Sequence, residues 1–306
     1  MSFKLNGVEI VDTFAEAFKM WGTRVLITAR NREWALTAAR TFTGFATSII
    51  MCGCEADIER EVPADETPDG RPGIDILFFT MSKKGLGEHL LKRIGQCVLT
   101  CPTTAIYNDF PLEDADAVIS VGGKLRYFGD GYQISKRFGG KEARRLWRIP
   151  VMDGEFFMED EFGSNKAVAG GNFMILAENP DAALEAAEKS VASMKGIRGV
   201  ITPFPGGVCR SGSKVGSKYK FLKASTNIRL CPSIRAMVKE SEVPEGVSTV
   251  YEIIINGLDL ESVKKAMAEG IRSAIKVQGV KRITAGNYGG KLGKYNIYLK
   301  DCLGVK

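Results

Sequence analysis

The chain has 306 residues, 44% of them hydrophobic and 25% charged. That balance excludes a disordered or fibrous protein and suits two cores of ordinary size. No uninterrupted apolar run approaches the ~18 residues a membrane helix needs, and Met1 to Val11 lacks a basic region followed by an apolar core, so neither a membrane protein nor an exported one is expected. A net charge of +6 suits anionic small molecules or nucleic acid, but it is common among cytoplasmic proteins and excludes little.

Thr23 to Ala29 reads as a strand. Asn31 can cap a helix carrying Trp34, Ala35, Ala38 and Phe42 on one face, which Gly44 stops before Thr47 to Met51 resumes as strand. The pattern recurs as strand Ile74 to Thr80, helix Ser82 to Ile94 with Leu86, Leu90 and Ile94 inward, and strand Gln96 to Thr100. Between the two units, Pro63 to Gly73 is a loop dense in turn residues. Lys124 to Tyr132, aromatic and glycine-rich, reads as a hairpin or insertion. The second half repeats the theme. Asn172 to Ala177 is a strand, and Asn179-Pro180 starts a helix with Ala183, Leu184, Ala187, Val191 and Met194 on one face. Gly199 to Thr202 is a strand, as is Thr249 to Gly257. A helix with Leu260, Val263, Met267, Ile271 and Ala274 inward then leads to the strand Val280 to Ala285.

Each half therefore reads as two βαβ units, the split arrangement of a ferredoxin-like fold. The expected class is α+β, with two ferredoxin-like lobes, residues 1–149 and 150–306, arising from internal duplication. The two units of the second half also share their exits: Pro205-Gly206-Gly207 precedes Lys214-Val215-Gly216, and Tyr288-Gly289-Gly290 precedes Lys291-Leu292-Gly293. Helices on one sheet face only leave the other face for a second lobe or subunit to cover.

Seven cysteines, an odd number, point to reduced thiols in a cytoplasm. Cys52/Cys54 and Cys97/Cys101 do not have the spacing of a CxxC knuckle, and no metal site is expected. The single histidine, His89, sits on a helix flank with no nucleophile motif beside it, which argues against multi-His metal sites and triads. The stretch Gly207 to Lys214 nearly matches a phosphate-cradling P-loop, but its last two residues are in the wrong order and no helix follows, so a nucleoside triphosphatase is rejected. Its glycines, its hydroxyls (Ser211 and Ser213) and Lys214 can still hold an anionic group. Ala224-Ser225-Thr226-Asn227 and Gly170-Gly171-Asn172-Phe173 combine turn residues with hydrogen-bonding side chains.

The most informative segment is Thr249 to Gly257, a strand apolar on both faces with one carboxylate set into it. Val250, Glu252 and Ile254 share one face. A carboxylate there is expensive to ionise, so Glu252 is either a proton carrier near neutral pH or half of a buried ion pair with a Lys or Arg. RNA binding, suggested by the βαββαβ order, is disfavoured because the strands lack the RNP1 aromatic pattern.

Taken together, Asp12-Thr13-Phe14-Ala15-Glu16-Ala17-Phe18, Glu66 to Gly73, Gly95-Gln96-Cys97-Val98, Phe128 to Tyr132, Pro203-Phe204-Pro205-Gly206-Gly207, Ser213 to Ser217, Ala224 to Asn227, Tyr251-Glu252-Ile253 and Ala285-Gly286-Asn287-Tyr288-Gly289-Gly290-Lys291-Leu292-Gly293 resemble formylmethanofuran:tetrahydromethanopterin formyltransferase, in order and over nearly the whole chain. The resemblance implies a cytoplasmic one-carbon enzyme of two ferredoxin-like lobes, homotetrameric, without metal or prosthetic group. Methanofuran and tetrahydromethanopterin are its implied coenzyme substrates. It implies Glu252 as the proton relay, with Pro205, Gly206, Gly207, Ser213, Lys214, Ser225, Thr226, Asn227, Asn172, Asn287 and Tyr288 binding substrate. Cys52-Gly53-Cys54-Glu55 and Ile134 to Arg137 look like methylotroph members, in which a similar protein is a subunit of a formyltransferase/hydrolase complex. Neither nucleic acid nor membrane is an expected partner.

Overall fold

The computed structural model describes residues 1–138, 144–212 and 214–305. The chain forms two compact units. A middle unit spans Met20–Ala167, and a composite unit joins Met1–Lys19 to the chain from Val168 onward. The N-terminal residues thus group with the C-terminal part of the chain. The reason is visible in the first hairpin, β1 (Ser2–Leu5) and β2 (Val8–Val11). It turns at Asn6-Gly7, both at positive φ, the signature of a tight two-residue hairpin. Its apolar face (Val8 and Ile10) is buried in the composite unit's core. The long strand β3 (Phe14–Thr28) then runs from the composite unit into the middle one.

The middle unit continues with α1 (Arg32–Thr43), α2 (Ile49–Cys52), β4 (Glu55–Val62), β5 (Gly73–Thr80), α3 (Lys83–Arg93), β6 (Ala105–Asn108), β7 (Ala117–Ser120), α4 (Gly122–Leu125), β8 (Ile134–Phe138), β9 (Arg144–Val151) and β10 (Gly154–Glu159). Its strand order is β4-β5-β3-β6-β10-β9-β8, with β10 parallel to β6 and the other pairs antiparallel. The first four strands have the split-βαβ order of a ferredoxin-like sheet. Asn31 caps α1 by accepting from the Trp34 N–H, and Ser82 caps α3 by accepting from the Gly85 N–H. Ala35, Leu36, Ala38, Ala39 and Phe42 of α1 are buried, whereas Trp34, expected on that face, is 40% exposed.

Three local expectations fail in this unit. Thr47 to Met51 is not a strand: Ser48 caps the helical turn α2 and Gly53, at φ 73°, ends it, so the strand begins at Glu55. Gln96 to Thr100 is not a strand either, because α3 runs on into a π-turn at Ile94–Val98 and the strand is Ala105–Asn108. Lys124 to Tyr132 is a helical turn and a 3₁₀ turn rather than a hairpin. In the first two, a short apolar run fits either period, and the tertiary setting decides between them.

The composite unit takes in the C-terminal part of β11 (Glu161–Ala177), α5 (Pro180–Met194), β12 (Val200–Ile201), the small ribbon β13 (Lys214–Val215) and β14 (Ala224–Ser225), β15 (Thr249–Gly257), α6 (Leu260–Ala274), β16 (Val280–Thr284), β17 (Tyr295–Tyr298) and α7 (Leu299–Leu303). Its strand order is β12-β15-β11-β16-β2-β1, with β2 parallel to β16. The two units therefore share a ferredoxin-like four-strand core extended past its fourth strand by antiparallel strands whose first is attached in parallel, three in the middle unit (β10, β9 and β8) and two in the composite one (β2 and β1). The helices α5 and α6 cover one face of the sheet, burying Ala186, Ala187, Met194, Val263, Met267 and Ile271 against Phe173, Ile253 and Ile255. Leu184, expected on the inner stripe of α5, is exposed. The other face was expected to need a lobe or subunit. Here Leu230, Val243 and Val247 of the same unit bury Met174, Leu176 and Val250.

Candidate functional site

Glu252 lies mid-way along β15, paired with Met174 of β11 on one side. On the other side it exchanges both backbone hydrogen bonds with Cys209, at 2.8 and 2.9 Å. Strand alternation sends Ile253 and Ile255 into the helix-side core, so Glu252 points to the opposite face with Val250. There Met174, Leu230 and Val250 together with Cys209–Gly212, Asn227 and Cys231 enclose a small cavity of ≈ 30 Å³, room for about two waters or one small planar group.

The carboxyl is 6% exposed. Its Oε2 is buried without a hydrogen-bond partner, and among the described residues no Lys or Arg pairs with it. Burial with nothing to offset it pushes the Glu252 pKa up to about 7. Of the two readings left open by the sequence, the buried ion pair has no cation paired with Glu252 among the described residues. Glu159 in the middle unit is the contrasting case: burial also raises it to about 7, but the Arg144 guanidinium stands 3.0 Å away.

The rest of the wall is built from two chain segments. Burial pushes the Cys209 thiol upward, partly offset by the Ser211 hydroxyl at 3.5 Å and by the Ser211 and Gly212 N–H groups. Gly212 has φ 59°, and a Cβ there would lie 2.9 Å from the Asn227 Cβ and 3.8 Å from Glu252 Oε2, so only glycine lets the segments meet. They are stitched by the Thr226 hydroxyl and the Asn227 N–H, which both donate to the Ser211 carbonyl, at 2.7 and 3.3 Å. The Asn227 side-chain amide makes no hydrogen bond among the described residues and borders the cavity. The cavity thus offers a proton carrier, an unused amide donor and little space for water.

Glu252, expected as the catalytic residue, lines the cavity; of the residues expected to bind substrate, Asn227 lines it and Thr226 braces it. Lys214 pairs with Ser225 in the β13–β14 ribbon, where the Ser225 hydroxyl donates to the Gly216 carbonyl. Ser213 lies outside the described residues. Pro205, Gly206 and Gly207 form a turn away from the cavity lining. Gly206 has φ 64° and Gly207 φ 80°, and Gly207 packs so tightly on Thr202 and Val191 that a Cβ would sit 2.7 Å from each. Asn172 is occupied internally: its amide donates to the Gly170 and Gly286 carbonyls and accepts from the Gly286 N–H. Asn287 donates to the Thr13 hydroxyl and the Phe14 carbonyl, and the Tyr288 ring meets Phe18 in a tilted pair. These three residues organise the Gly286–Gly293 loop.

Sequence reasoning had marked Ser211 and Gly212 only as part of an anion-holding loop, and it did not name Met174, Cys209, Arg210, Leu230, Val250 or Cys231 for the site. Of these, Met174 and Val250 had a legible signal in strand alternation. Among the described residues no cluster of His, Cys, Asp or Glu could hold a metal ion, all seven cysteines are free thiols, and no helix is long and apolar enough to cross a membrane.

Two family models match the chain. Residues 3–151 match formylmethanofuran-tetrahydromethanopterin formyltransferase and residues 154–302 match that family's proximal lobe. The chain is 54% identical over 301 residues to the formylmethanofuran–tetrahydromethanopterin formyltransferase of Methanocaldococcus jannaschii, covering 97% of this chain and 99% of that protein. It is likewise 54% identical over 303 residues to that of Methylobacillus flagellatus, covering 98% and 99%. Among solved structures, the formyltransferase from Methanosarcina barkeri superposes with a TM-score of 0.91 at 51% identity, over 98% of this chain and 100% of that one. A chain of the formyltransferase/hydrolase complex from Methylorubrum extorquens, solved with methylofuran, superposes with a TM-score of 0.95 at 45% identity, over 100% of both.

Proposed function

Because the chain belongs to the formylmethanofuran–tetrahydromethanopterin formyltransferase family, we propose that it transfers a formyl group between N-formylmethanofuran and tetrahydromethanopterin, reversibly, as a cytoplasmic enzyme of one-carbon metabolism. The observation that carries the proposal is Glu252 itself, a buried carboxyl without an ion-pair partner in a cavity of near-formyl size. Both substrates are amines, so one can attack the other's formamide directly in a ternary complex. The new C–N bond forms as the carbonyl becomes a tetrahedral oxyanion, and the old C–N bond breaks as that anion collapses. One proton must leave the attacking nitrogen and reach the leaving nitrogen. Ionised Glu252 accepts it in the first step and returns it in the second, a use that a pKa near 7 favours in both directions.

The Asn227 amide is the donor best placed to stabilise the oxyanion. Met174, Leu230 and Val250 line one part of the cavity, and substrate seated on them would displace the water that competes for the formyl carbon. Lys214, on the ribbon that leaves the cavity rim, is assigned to an acidic coenzyme tail. The direct route uses only this chain's own groups, and methanofuran and tetrahydromethanopterin enter as substrates.

Transfer measured on the purified protein with both coenzymes, in both directions, tests the proposal. Activity in neither direction would overturn it. That outcome would favour the second reading, a non-catalytic coenzyme-binding subunit of a formyltransferase/hydrolase assembly, which the full-length likeness to a chain of such a complex supports.

A further inference from the structure

The Gly286–Gly293 loop has the composition of an anion cradle, and its anion comes from within the chain. Glu16, on β3, is 1% exposed. Its Oε2 accepts from the Tyr288 and Gly290 N–H groups at 2.6 and 2.8 Å, and its Oε1 accepts from Leu292 and Gly293 at 2.6 and 2.5 Å. Burial would raise this carboxyl, but the four N–H groups outweigh it and hold Glu16 below the usual carboxylate range. The backbone of Glu16 adds a fifth tie, its N–H donating to the Gly286 carbonyl at 3.1 Å.

The loop is shaped to receive this side chain. Gly289 and Gly290 have φ of 72° and 71°, which turns successive N–H groups inward. A Cβ at Gly293 would lie 2.6 Å from the Ala17 carbonyl oxygen and 2.7 Å from Glu16 Cγ. Only glycine lets the loop close.

The loop begins beside the Glu252 cavity. Met174 pairs with Glu252 on one side and with Thr284 on the other, so the three stand in one row across β15, β11 and β16. Two residues after Thr284, Gly286 packs on Met174: a Cβ there would meet the Met174 Cε at 2.8 Å. Met174 is itself a wall of the cavity. Beyond Gly286 the loop carries the half-buried Tyr288, paired with Phe18 at 6.2 Å between ring centroids, and the exposed Lys291.

We propose that Glu16 is a positioning residue for formyl transfer, fixing the Gly286–Gly293 loop as a substrate-binding wall beside the Glu252 cavity. This rests on the formyl-transfer reading above. Glu16 touches no reacting atom. It acts through Tyr288, Lys291 and the loop backbone, which grip a part of the coenzyme remote from the formyl carbon. Its loss should therefore appear in KM more than in kcat.

The test is Glu16→Gln in the full chain, where one end of the side chain becomes a donor facing N–H donors. Gly289→Ala is a milder second variant. It strains the left-handed turn while its new Cβ meets nothing within 4 Å, so the core is untouched. For both, steady-state kinetics with each coenzyme is paired with amide hydrogen exchange at Tyr288, Gly290, Leu292 and Gly293. The expected result is a fall in kcat/KM of about 10²-fold for Glu16→Gln, carried by KM for one coenzyme, with kcat within threefold of wild type. Gly289→Ala should change KM for the same coenzyme in the same direction by a smaller factor. Exchange at the four amides should accelerate in Glu16→Gln.

Unchanged KM for both coenzymes alongside accelerated exchange would reduce Glu16 to a stabiliser of the loop and overturn the proposal. Unchanged exchange would overturn the cradle itself. A wild type without transfer activity is a different failure, that of the formyl-transfer reading, and the exchange arm would still decide whether Glu16 orders the loop.

Discussion

Replacing Glu252 by glutamine keeps the shape of the side chain and removes its proton chemistry, so it separates catalysis from packing. If Glu252 relays the proton, turnover should fall by roughly 10²–10⁴-fold, about 3–5 kcal/mol of transition-state stabilisation, with little change in KM. The wild-type rate should rise with pH through about 7, as the carboxyl ionises and can accept the proton, and the variant should lose that limb. The stability effect has a definite sign. In the unfolded chain Glu252 loses its proton near 4.5, whereas in the folded protein it holds it to about 7. The folded state therefore binds the proton more tightly, and stability from this group is full below pH 4.5 and drains away between there and about 7. At about 1.4 kcal/mol for each pKa unit, the cost of keeping it ionised at pH 8 is on the order of 3 kcal/mol. Glutamine carries no such cost. Glu252→Gln should thus match wild type in stability at pH 4 and exceed it at pH 8, read as Tm across a pH series. A buried ion pair would give the reverse, a loss of about 3–5 kcal/mol at neutral pH from the stranded partner. Wild-type turnover in the variant, or a lower Tm at pH 8, would refute the reasoning.

Lys214→Ala should weaken coenzyme binding by about 1.5–3 kcal/mol, a KM increase of roughly ten- to hundredfold with kcat nearly unchanged; an unaltered KM for both coenzymes would remove Lys214 from the site. Gly207→Ala combines φ 80° with a Cβ 2.7 Å from both Thr202 Oγ1 and Val191, so denaturant melts should show a loss of about 2–4 kcal/mol, and an unchanged midpoint would mean the turn can relax. The homotetramer that family resemblance implies is checked by light scattering, where a monodisperse, fully active monomer at low protein concentration is the contrary result.

All four strands of the composite unit's ferredoxin-like sheet were legible, but only β3 and β5 of the middle unit's four were, β4 and β6 having been expected elsewhere. Asn31, Ser82 and Asn179 each cap the helix their position announces. The apolar stripe of α6 faces the core as its 3.6-residue spacing requires. Glu252 could be singled out because a carboxylate in a strand apolar on both faces violates the local pattern. Glu16 carries a weaker form of the same signal, flanked by Ala15 and Ala17, and there the sequence does not say whether a partner exists.

Periodicity and caps are set by neighbours within a turn or two, and so the sequence by itself determined element type, fold class and the suspicion attached to Glu252. Where short apolar runs satisfy two periods, as at Thr47 to Met51 and Gln96 to Thr100, local information does not discriminate. Only the tertiary structure decided which segments meet. The Cys209–Gly212 and Asn227–Cys231 stretches close over Glu252, and although Arg210 is in the lining, no ion pair to Glu252 forms among the described residues and its Oε2 has no hydrogen-bond partner. The Glu16 carboxylate finds the Gly293 N–H 277 residues away, and the first hairpin joins the last strand of the C-terminal sheet. Both pairings are fixed by backbone hydrogen bonds and close packing between distant parts of the chain, for which no single stretch of residues carries a signal.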